Sequence, residues 1–109
     1  MKQAGYVEWA PFTLKPGVTD EELLRASEAL QEDFVKHQPG FIRRELLKGS
    51  GREWVDLVYW EDRESAERVA AHAAESPACR AYFEYMEGVA DPAGGVLHFE
   101  RRRLYDAAA

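Results

Sequence analysis

The sequence contains a single cysteine, Cys79, among its 109 residues. One cysteine cannot form an internal disulfide, and it cannot supply the several thiolates of a multi-cysteine zinc site. The histidines and carboxylates show no spacing typical of metal ligands. We therefore expect no bound metal, and a cytoplasmic setting is the default expectation.

Positive charge and long apolar runs are also scarce. The chain has 14 Lys and Arg residues against 20 Asp and Glu residues, which gives a net charge of −6. Phosphate groups repel an acidic chain, so we expect no nucleic-acid partner and no binding to anionic membranes. No stretch approaches the roughly 18 apolar residues of a membrane span. The first residues, MKQAGYVEWAPF, lack the apolar segment of a signal peptide.

Aromatic residues are plentiful by contrast, at 12% of the chain with three tryptophans. At this length we expect one domain, residues 1–109, with a modest core. So many aromatic side chains in a small domain indicate a large interface or an aromatic-lined cavity.

Local patterns predict six elements in the order β-α-β-β-α-β. The first helix begins at a capping box, in which Thr19 and Glu22 satisfy each other's backbone amides. The second helical region restarts at Ser76-Pro77, and Gly88 is its expected C-cap before a loop at 91–95. The predicted strands are 5–14, 41–48, 53–60 and 96–104. The predicted helical segments are 19–36, a second that is capped by Asp62 or Ser65 and precedes the restart at Ser76, and 78–87.

This order is the split βαβ pattern of the α+β ferredoxin-like fold, a four-stranded antiparallel sheet with two helices on one face. The first strand then lies between the third and the last. The third strand, WVDLVYW, has large apolar side chains on both faces. Because two helices cover only one face, we expect a homodimer with its sheets packed face to face.

Three segments resemble the dimeric α+β barrel superfamily, in its antibiotic-biosynthesis monooxygenase-like branch. They are HQPGF (His37–Phe41), VYWEDRESAE (Val58–Glu67) and SPACRAYF (Ser76–Phe83). The resemblance implies a dimeric barrel with a cavity in each subunit. The family includes cofactor-free oxygenases of polycyclic aromatic compounds and heme-degrading enzymes, so the resemblance implies one of these activities, although many members have no assigned activity.

Heme degradation fits the sequence poorly. Heme-degrading members of this group carry an Asn on the first strand, and YVEWAPFTL has none. The position of their heme-ligating His corresponds to a residue at or near Phe83 in this chain. They also carry a Trp after the third strand, and Trp60 matches that position. His72 lies about three helical turns upstream of Phe83, so it is a poor substitute for that ligand.

Polar residues on otherwise apolar strands are the first candidates for a site. Asp56 shares a strand face with Trp54, Val58 and Trp60, where an unpaired carboxylate costs several kcal/mol. Glu8 and His98 lie on the adjacent strands. Asp56 is either a general base or part of a polar network that fixes the dimer, for example with an arginine. Glu8 is either a site residue or an exposed strand end.

Other candidates lie on the second strand and the second helical region. Strict alternation on the second strand places Arg43 with Phe41 and puts Arg44 on the opposite face. His72 lies near the inner helical stripe and is the second acid/base candidate, or else a surface histidine. Trp60, Tyr82 and Phe83 line a pocket for a flat apolar ligand, or else belong to the core.

Two functional hypotheses follow. The first is a monooxygenase that oxidises an aromatic substrate without a cofactor, with Asp56 and His72 as catalytic residues. In this hypothesis the substrate-binding residues are Trp60, Tyr82, Phe83, Glu8 and His98. The second is a dimeric ligand-binding or structural module without catalysis.

Overall fold

A computed structural model describes residues 4–87 and 96–107 of the chain. Its elements, in chain order, are β1 (Tyr6–Thr13), α1 (Asp20–Asp33), β2 (Phe41–Lys48), β3 (Glu53–Trp60), α2 (Arg63–Ala73), α3 (Pro77–Phe83) and β4 (Leu97–Glu100). The predicted order is confirmed, and the predicted restart at Ser76-Pro77 divides the second helical region into α2 and α3. The predicted cap at Gly88 and the loop at 91–95 lie outside the described residues.

The four strands form one antiparallel sheet in the order β2-β3-β1-β4, which confirms the ferredoxin-like α+β fold and the position of β1. Directly opposed residues of antiparallel strands point to the same face of a sheet. Glu8 is opposite Val58 on one side and His98 on the other, and Ala10 is opposite Asp56. The register therefore puts Glu8, Asp56 and His98 on one face, which sequence alone left open.

The helices cover this same face. On β3 the side chains of Trp54, Asp56, Val58 and Trp60 are buried, while those between them are only half-buried. The two core clusters both join this face to helical residues, one through Leu23, Leu30 and Tyr82 and the other through Ala66. Asp56 thus points toward the helices and away from the open face of the sheet.

The helix starts follow the predicted caps. The Thr19 hydroxyl accepts a hydrogen bond from the Glu22 amide, and the Glu22 carboxylate accepts one from the Thr19 amide. The Asp62 side chain caps α2 by accepting a hydrogen bond from the Ser65 amide, and the Ser76 hydroxyl caps α3 by accepting one from the Cys79 amide. Among the described helices, none has the length and apolar character needed to cross a membrane.

Three elements end earlier than predicted. α1 ends at Asp33 and is followed by a 3-10 turn at Val35–His37, whereas α3 and β4 end early because of contacts distant in sequence. After Phe83 the chain leaves the helix, and the Glu87 amide bonds to the Thr13 carbonyl beside the end of β1. Pairing on β4 stops near Glu100 because its partner β1 begins at Tyr6. Within residues 4–87 and 96–107, the last backbone hydrogen bond between these two segments runs from the Arg101 amide to the Gly5 carbonyl.

An irregularity in β2 changes which residues face the helices. Phe41 is opposite Trp60 and Arg43 is opposite Tyr59, so β2 advances by two residues where β3 advances by one. Such a bulge reverses the alternation of side chains beyond it. Phe41 and Arg44 consequently share the helix-covered face, and the prediction that paired Phe41 with Arg43 was wrong.

Gly40 lies at the crossing of two elements, just before β2. Its φ of +86° is in the left-handed region, and an added Cβ would collide with the side chain of Ser65 in the first turn of α2. The Gly40 carbonyl also accepts a hydrogen bond from the Glu61 amide. The PGF turn therefore needs glycine both for its backbone conformation and for the close approach of α2.

Candidate active site

A cavity of about 170 Å³ lies between the helix-covered face of the sheet and the helices, and it is partly open to solvent. Its walls are mostly apolar and include Phe12, Leu30, Trp60, Val69 and Phe83. A cavity of about 150 Å³ is large enough to hold benzene. The interior therefore accommodates one aromatic ring, and the rest of a larger ligand would extend toward the opening.

The polar side chains of the cavity wall form two separate groups. One group, called here the ion-pair cluster, consists of Arg44, Asp56 and Tyr82 with Ser27 behind them. The other, the Glu8–His98 pair, joins β1 to β4. The two groups differ in how completely their hydrogen bonds are satisfied.

The ion-pair cluster is centred on the Asp56 carboxylate. Arg44 binds it in a bidentate manner, with Nε 2.9 Å from Oδ1 and Nη2 2.8 Å from Oδ2. The Tyr82 hydroxyl donates a third hydrogen bond to Oδ2 at 2.8 Å. The side chains of Arg44 and Asp56 are less than one-tenth exposed. Paired and hydrogen-bonded in this way, the buried charges avoid most of their desolvation cost.

The remaining donors of Arg44 are also engaged. Nη1 donates to the Ser27 carbonyl and Nη2 to the Ser27 hydroxyl. Burial alone would lower the pKa of Arg44, but the hydrogen bond and the charge of Asp56 outweigh burial and raise it. Burial and then the Asp56 charge raise the pKa of Tyr82. Arg44 and Tyr82 therefore keep their protons near neutral pH.

The Glu8–His98 pair is looser. Glu8 Oε1 and His98 Nε2 are 3.8 Å apart, beyond hydrogen-bond distance, and the side chains are 23% and 40% exposed. Burial, and then the negative charge of Asp56, raise the pKa of Glu8 from 4.5 to about 7, and the nearby indole of Trp60 opposes this rise. Glu8 is consequently a carboxyl group that exchanges protons near neutral pH.

Trp60 lines the cavity and is almost fully buried. Its ring packs edge-to-face with Phe41 at 5.9 Å between centroids. Its indole N–H is buried and forms no hydrogen bond of standard geometry within the described residues. A buried donor of this kind is available to an oxygen atom of a ligand.

His72 is not brought to the cavity. It lies on the exposed surface of α2, with its side chain 59% exposed and its Nδ1 3.7 Å from the Glu75 carboxylate. Val69, Ala70 and Ala73 supply the part of α2 that lines the cavity. The other six residues predicted for the site do line it: Glu8, Asp56, Trp60, Tyr82, Phe83 and His98.

Arg44 is the polar wall residue that the sequence-based site lacked. The signal for it was the buried Asp56 on the neighbouring strand, which needs a cation, but the bulge concealed which arginine supplies it. Within residues 4–87 and 96–107, no three His, Cys, Asp or Glu side chains form a group able to hold a metal ion.

A family model described as antibiotic biosynthesis monooxygenase matches residues 6–85, which is most of the chain. The chain belongs to the antibiotic biosynthesis monooxygenase family. Its β1 to α3, with nearly all of the cavity wall, lie within the matched segment. No curated protein matches the chain significantly.

Solved structures with the same fold include known oxygenases of the genus Streptomyces. SnoaB from Streptomyces nogalater, a cofactor-independent oxygenase, is 20% identical with a TM-score of 0.70, covering 94% of this chain and 97% of SnoaB. The monooxygenase from ActVA-Orf6 of Streptomyces coelicolor, in complex with nanaomycin D, is 16% identical with a TM-score of 0.69, covering 94% and 91%.

A conserved protein from Methanosarcina mazei is 14% identical with a TM-score of 0.65, covering 91% of this chain and 94% of that protein. At these identities the likeness establishes the fold that the family members share. Family membership itself supports a monooxygenase of the antibiotic-biosynthesis type as the coarse functional assignment.

Proposed function

We propose that the protein is a cofactor-independent monooxygenase that oxidises a phenolic aromatic substrate, with Glu8 as the proton acceptor. The observation that carries the proposal is a carboxyl group with a pKa of about 7 in the wall of an apolar, aromatic cavity. The description of SnoaB as a cofactor-independent oxygenase and the nanaomycin D complex of the ActVA-Orf6 monooxygenase support it.

The chemistry requires a base and dioxygen and no external reductant. The Glu8 carboxylate accepts the proton of a phenol, or of its keto tautomer, and the resulting anion gives one electron to dioxygen. The two radicals combine to form a carbon–oxygen bond, and the hydroperoxide then loses water to leave a carbonyl group. One oxygen atom enters the product and the other becomes water, so the substrate supplies all the electrons.

The other wall residues have supporting roles in this proposal. Trp60 donates its buried indole N–H to a substrate oxygen, and Tyr82 and Phe83 contact the flat faces or edges of the ring. Asp56 is a weaker candidate for the base than Glu8, since its oxygens already accept three hydrogen bonds. We assign it to holding the cavity wall in place, and we leave the exposed His72 out of the catalytic set.

Oxidation of anthrone to anthraquinone and water is a direct test, because anthrone forms a phenol tautomer and absorbs differently from its product. We expect the wild-type protein to accelerate it without added cofactor. Glu8→Gln should lower kcat by about 100-fold or more, as expected for loss of a positioned proton acceptor. Glu28→Gln, on the exposed surface of α1, is the matched control and should leave kcat unchanged.

The pH profile adds an independent readout. We expect kcat/KM for anthrone to rise with pH through a midpoint near 7, where Glu8 loses its proton. Full activity of Glu8→Gln would refute the assignment of the base. Binding of anthrone without any acceleration of its oxidation would instead favour the alternative function, a non-catalytic ligand-binding module.

The assembly we propose is a homodimer formed through the open face of the sheet. This face carries Trp9, Leu97 and Phe99, which are 37%, 52% and 52% exposed in the single chain. An apolar surface of this extent on a monomer is typical of an interaction site. Light scattering at micromolar concentration should give the mass of a dimer.

A cytoplasmic location stays a prediction, consistent with the buried, unpaired Cys79.

A further inference from the structure

We propose that His98 connects Glu8 to solvent and forms with it a two-residue proton path out of the cavity. The inference rests on the proposed role of Glu8 as base. Glu8 is the inner member, with its side chain mostly buried, and His98 is the outer member, with its side chain 40% exposed. They are directly opposed on β1 and β4, so the pairing of the strands fixes their proximity.

The other titratable and charged groups of the cavity wall are poorly suited to this task. Arg44 and Asp56 are bound to each other and to α1 or α3. Burial raises the pKa of the Tyr82 hydroxyl and of the Cys79 thiol, so both stay protonated near neutral pH. His98 combines an imidazole ring, which can hold a proton on either nitrogen, with closeness to Glu8 and exposure to solvent.

The geometry favours transfer through the imidazole ring. The ring stacks on Tyr6 with 5.6 Å between centroids and 18° between planes, which holds it beside Glu8. The gap of 3.8 Å between Nε2 and Oε1 closes with a small side-chain rotation or with one bridging water. Nε2 then accepts the proton from Glu8, and Nδ1 releases a different proton to solvent.

This path changes no oxidation state and balances over the catalytic cycle. One proton leaves when the substrate anion forms, and one returns when hydroxide is lost from the hydroperoxide. Because His98 carries the first proton away, Glu8 is ionised again while dioxygen reacts. Without His98, Glu8 would have to exchange its proton with water directly, although only 23% of its side chain is exposed.

The first test measures anthrone oxidation at pH 7 in dilute buffer. His98→Gln should lower kcat by about tenfold, less than the loss of the acceptor itself because small buffer molecules can partly replace a proton carrier. Added imidazole should restore most of the lost rate. His72→Gln is the matched control, since this histidine is exposed on α2, and it should neither slow the reaction nor respond to imidazole.

The outcomes separate this inference from the proposed function. If Glu8→Gln is inactive while His98→Gln equals the wild type in dilute buffer, the base stands and the path is refuted. If Glu8→Gln is fully active, the proposed function fails and the path fails with it. A loss in His98→Gln that imidazole does not repair would indicate a structural role and would also refute the path.

A second measurement needs no turnover. 4-Nitrophenol is a single-ring phenol that changes colour on ionisation, so a temperature jump in weak Tris buffer reports how fast a proton crosses between the bound phenol and solvent. We expect His98→Gln to slow this relaxation by roughly tenfold, with unchanged amplitude and with rescue by imidazole. Equal rates in both proteins would refute the path. Failure of the wild-type protein to bind 4-nitrophenol would count against the phenol site itself.

Discussion

The two carboxylates of the cavity wall, Asp56 and Glu8, lie on neighbouring strands and face the same space, yet their surroundings differ. Asp56 accepts hydrogen bonds from a bidentate arginine and a tyrosine, all within 2.9 Å. Glu8 is about three-quarters buried, and it has no arginine or lysine partner: a histidine lies 3.8 Å away and the Trp60 indole is nearby. The first carboxylate is fully satisfied, and the second is not.

This difference separates a structural charge from a chemically available one. A carboxylate held by an arginine keeps its charge and its position, and its lone pairs are not free for a substrate. A carboxylate that is desolvated without a strong partner is less stable as an anion, and so binds a proton near neutral pH. The partners of a buried carboxylate therefore indicate its role better than its burial does.

The largest effect should come from breaking the ion-pair cluster. Asp56→Asn leaves the Arg44 charge buried without its counter-ion, and we expect a loss of about 3–5 kcal/mol in the free energy of unfolding, measured by urea denaturation. The matched control is Asp20→Asn, which breaks the exposed ion pair with Lys48. That change should cost no more than about 1 kcal/mol. Similar losses in the two variants would show that the buried ion pair contributes no more to stability than an exposed one.

A smaller change in the free energy of unfolding, in the stabilising direction, is expected when Glu8 is replaced. Its folded-state pKa is raised, so the folded state binds a proton more tightly than the unfolded state between pH 4.5 and about 7. Stability contributed by this group is therefore lost as pH rises through this window. Glu8→Gln removes the cost of ionisation and should stabilise the protein at pH 8 by up to about 3 kcal/mol.

The same comparison at low pH is the internal control for this variant. At pH 4.5 the folded wild-type protein already carries the proton on Glu8, so the gain from Glu8→Gln should nearly vanish. Both proteins should be unfolded thermally at equal concentration, because assembly would otherwise shift the midpoint. An equal gain in stability at both pH values would show that a change in packing, and not the loss of an ionisable group, stabilises the variant.

The smallest effect should come from trimming the ion-pair cluster without breaking its charges. Tyr82→Phe removes one hydrogen bond to Asp56 and leaves the bidentate contact with Arg44 intact. We expect a loss of about 1.5–3 kcal/mol, as for hydrogen bonds to charged groups, measured by denaturation. Tyr105→Phe, at a position 86% exposed, should change nothing measurable. A loss larger than that of Asp56→Asn would mean that Tyr82 and not Arg44 secures the carboxylate.

Much of the fold could be predicted because its signals are local. The bounds of β2 and β3 agree with the prediction, since alternating apolar residues on either side of Gly49-Ser50-Gly51 define a hairpin. The caps at Thr19 and Ser76 likewise depend on residues within three positions. The end of β4 could not be predicted, because it depends on where β1 begins on the neighbouring strand.

The candidate site was only partly predictable for the same reason. Composition and alternation identified Asp56, Glu8 and His98 as unusual residues, but only the strand registers could bring them onto one face. The arginine that neutralises Asp56 is twelve positions away, across a hairpin with an irregular register. The exposure of His72 depends on how α2 rotates against the sheet, which helical periodicity alone does not fix.

The bulge in β2 has a consequence for comparing this protein with its relatives. The bulge adds one residue to β2. A relative without the bulge would therefore align correctly with β2 only if a gap were placed inside the strand. An ungapped alignment would be out of register by one position and would place Arg43, which binds Glu45 and Tyr59, where Arg44 belongs. At identities near 20%, that error would hide the counter-ion of Asp56 from any comparison made by position alone.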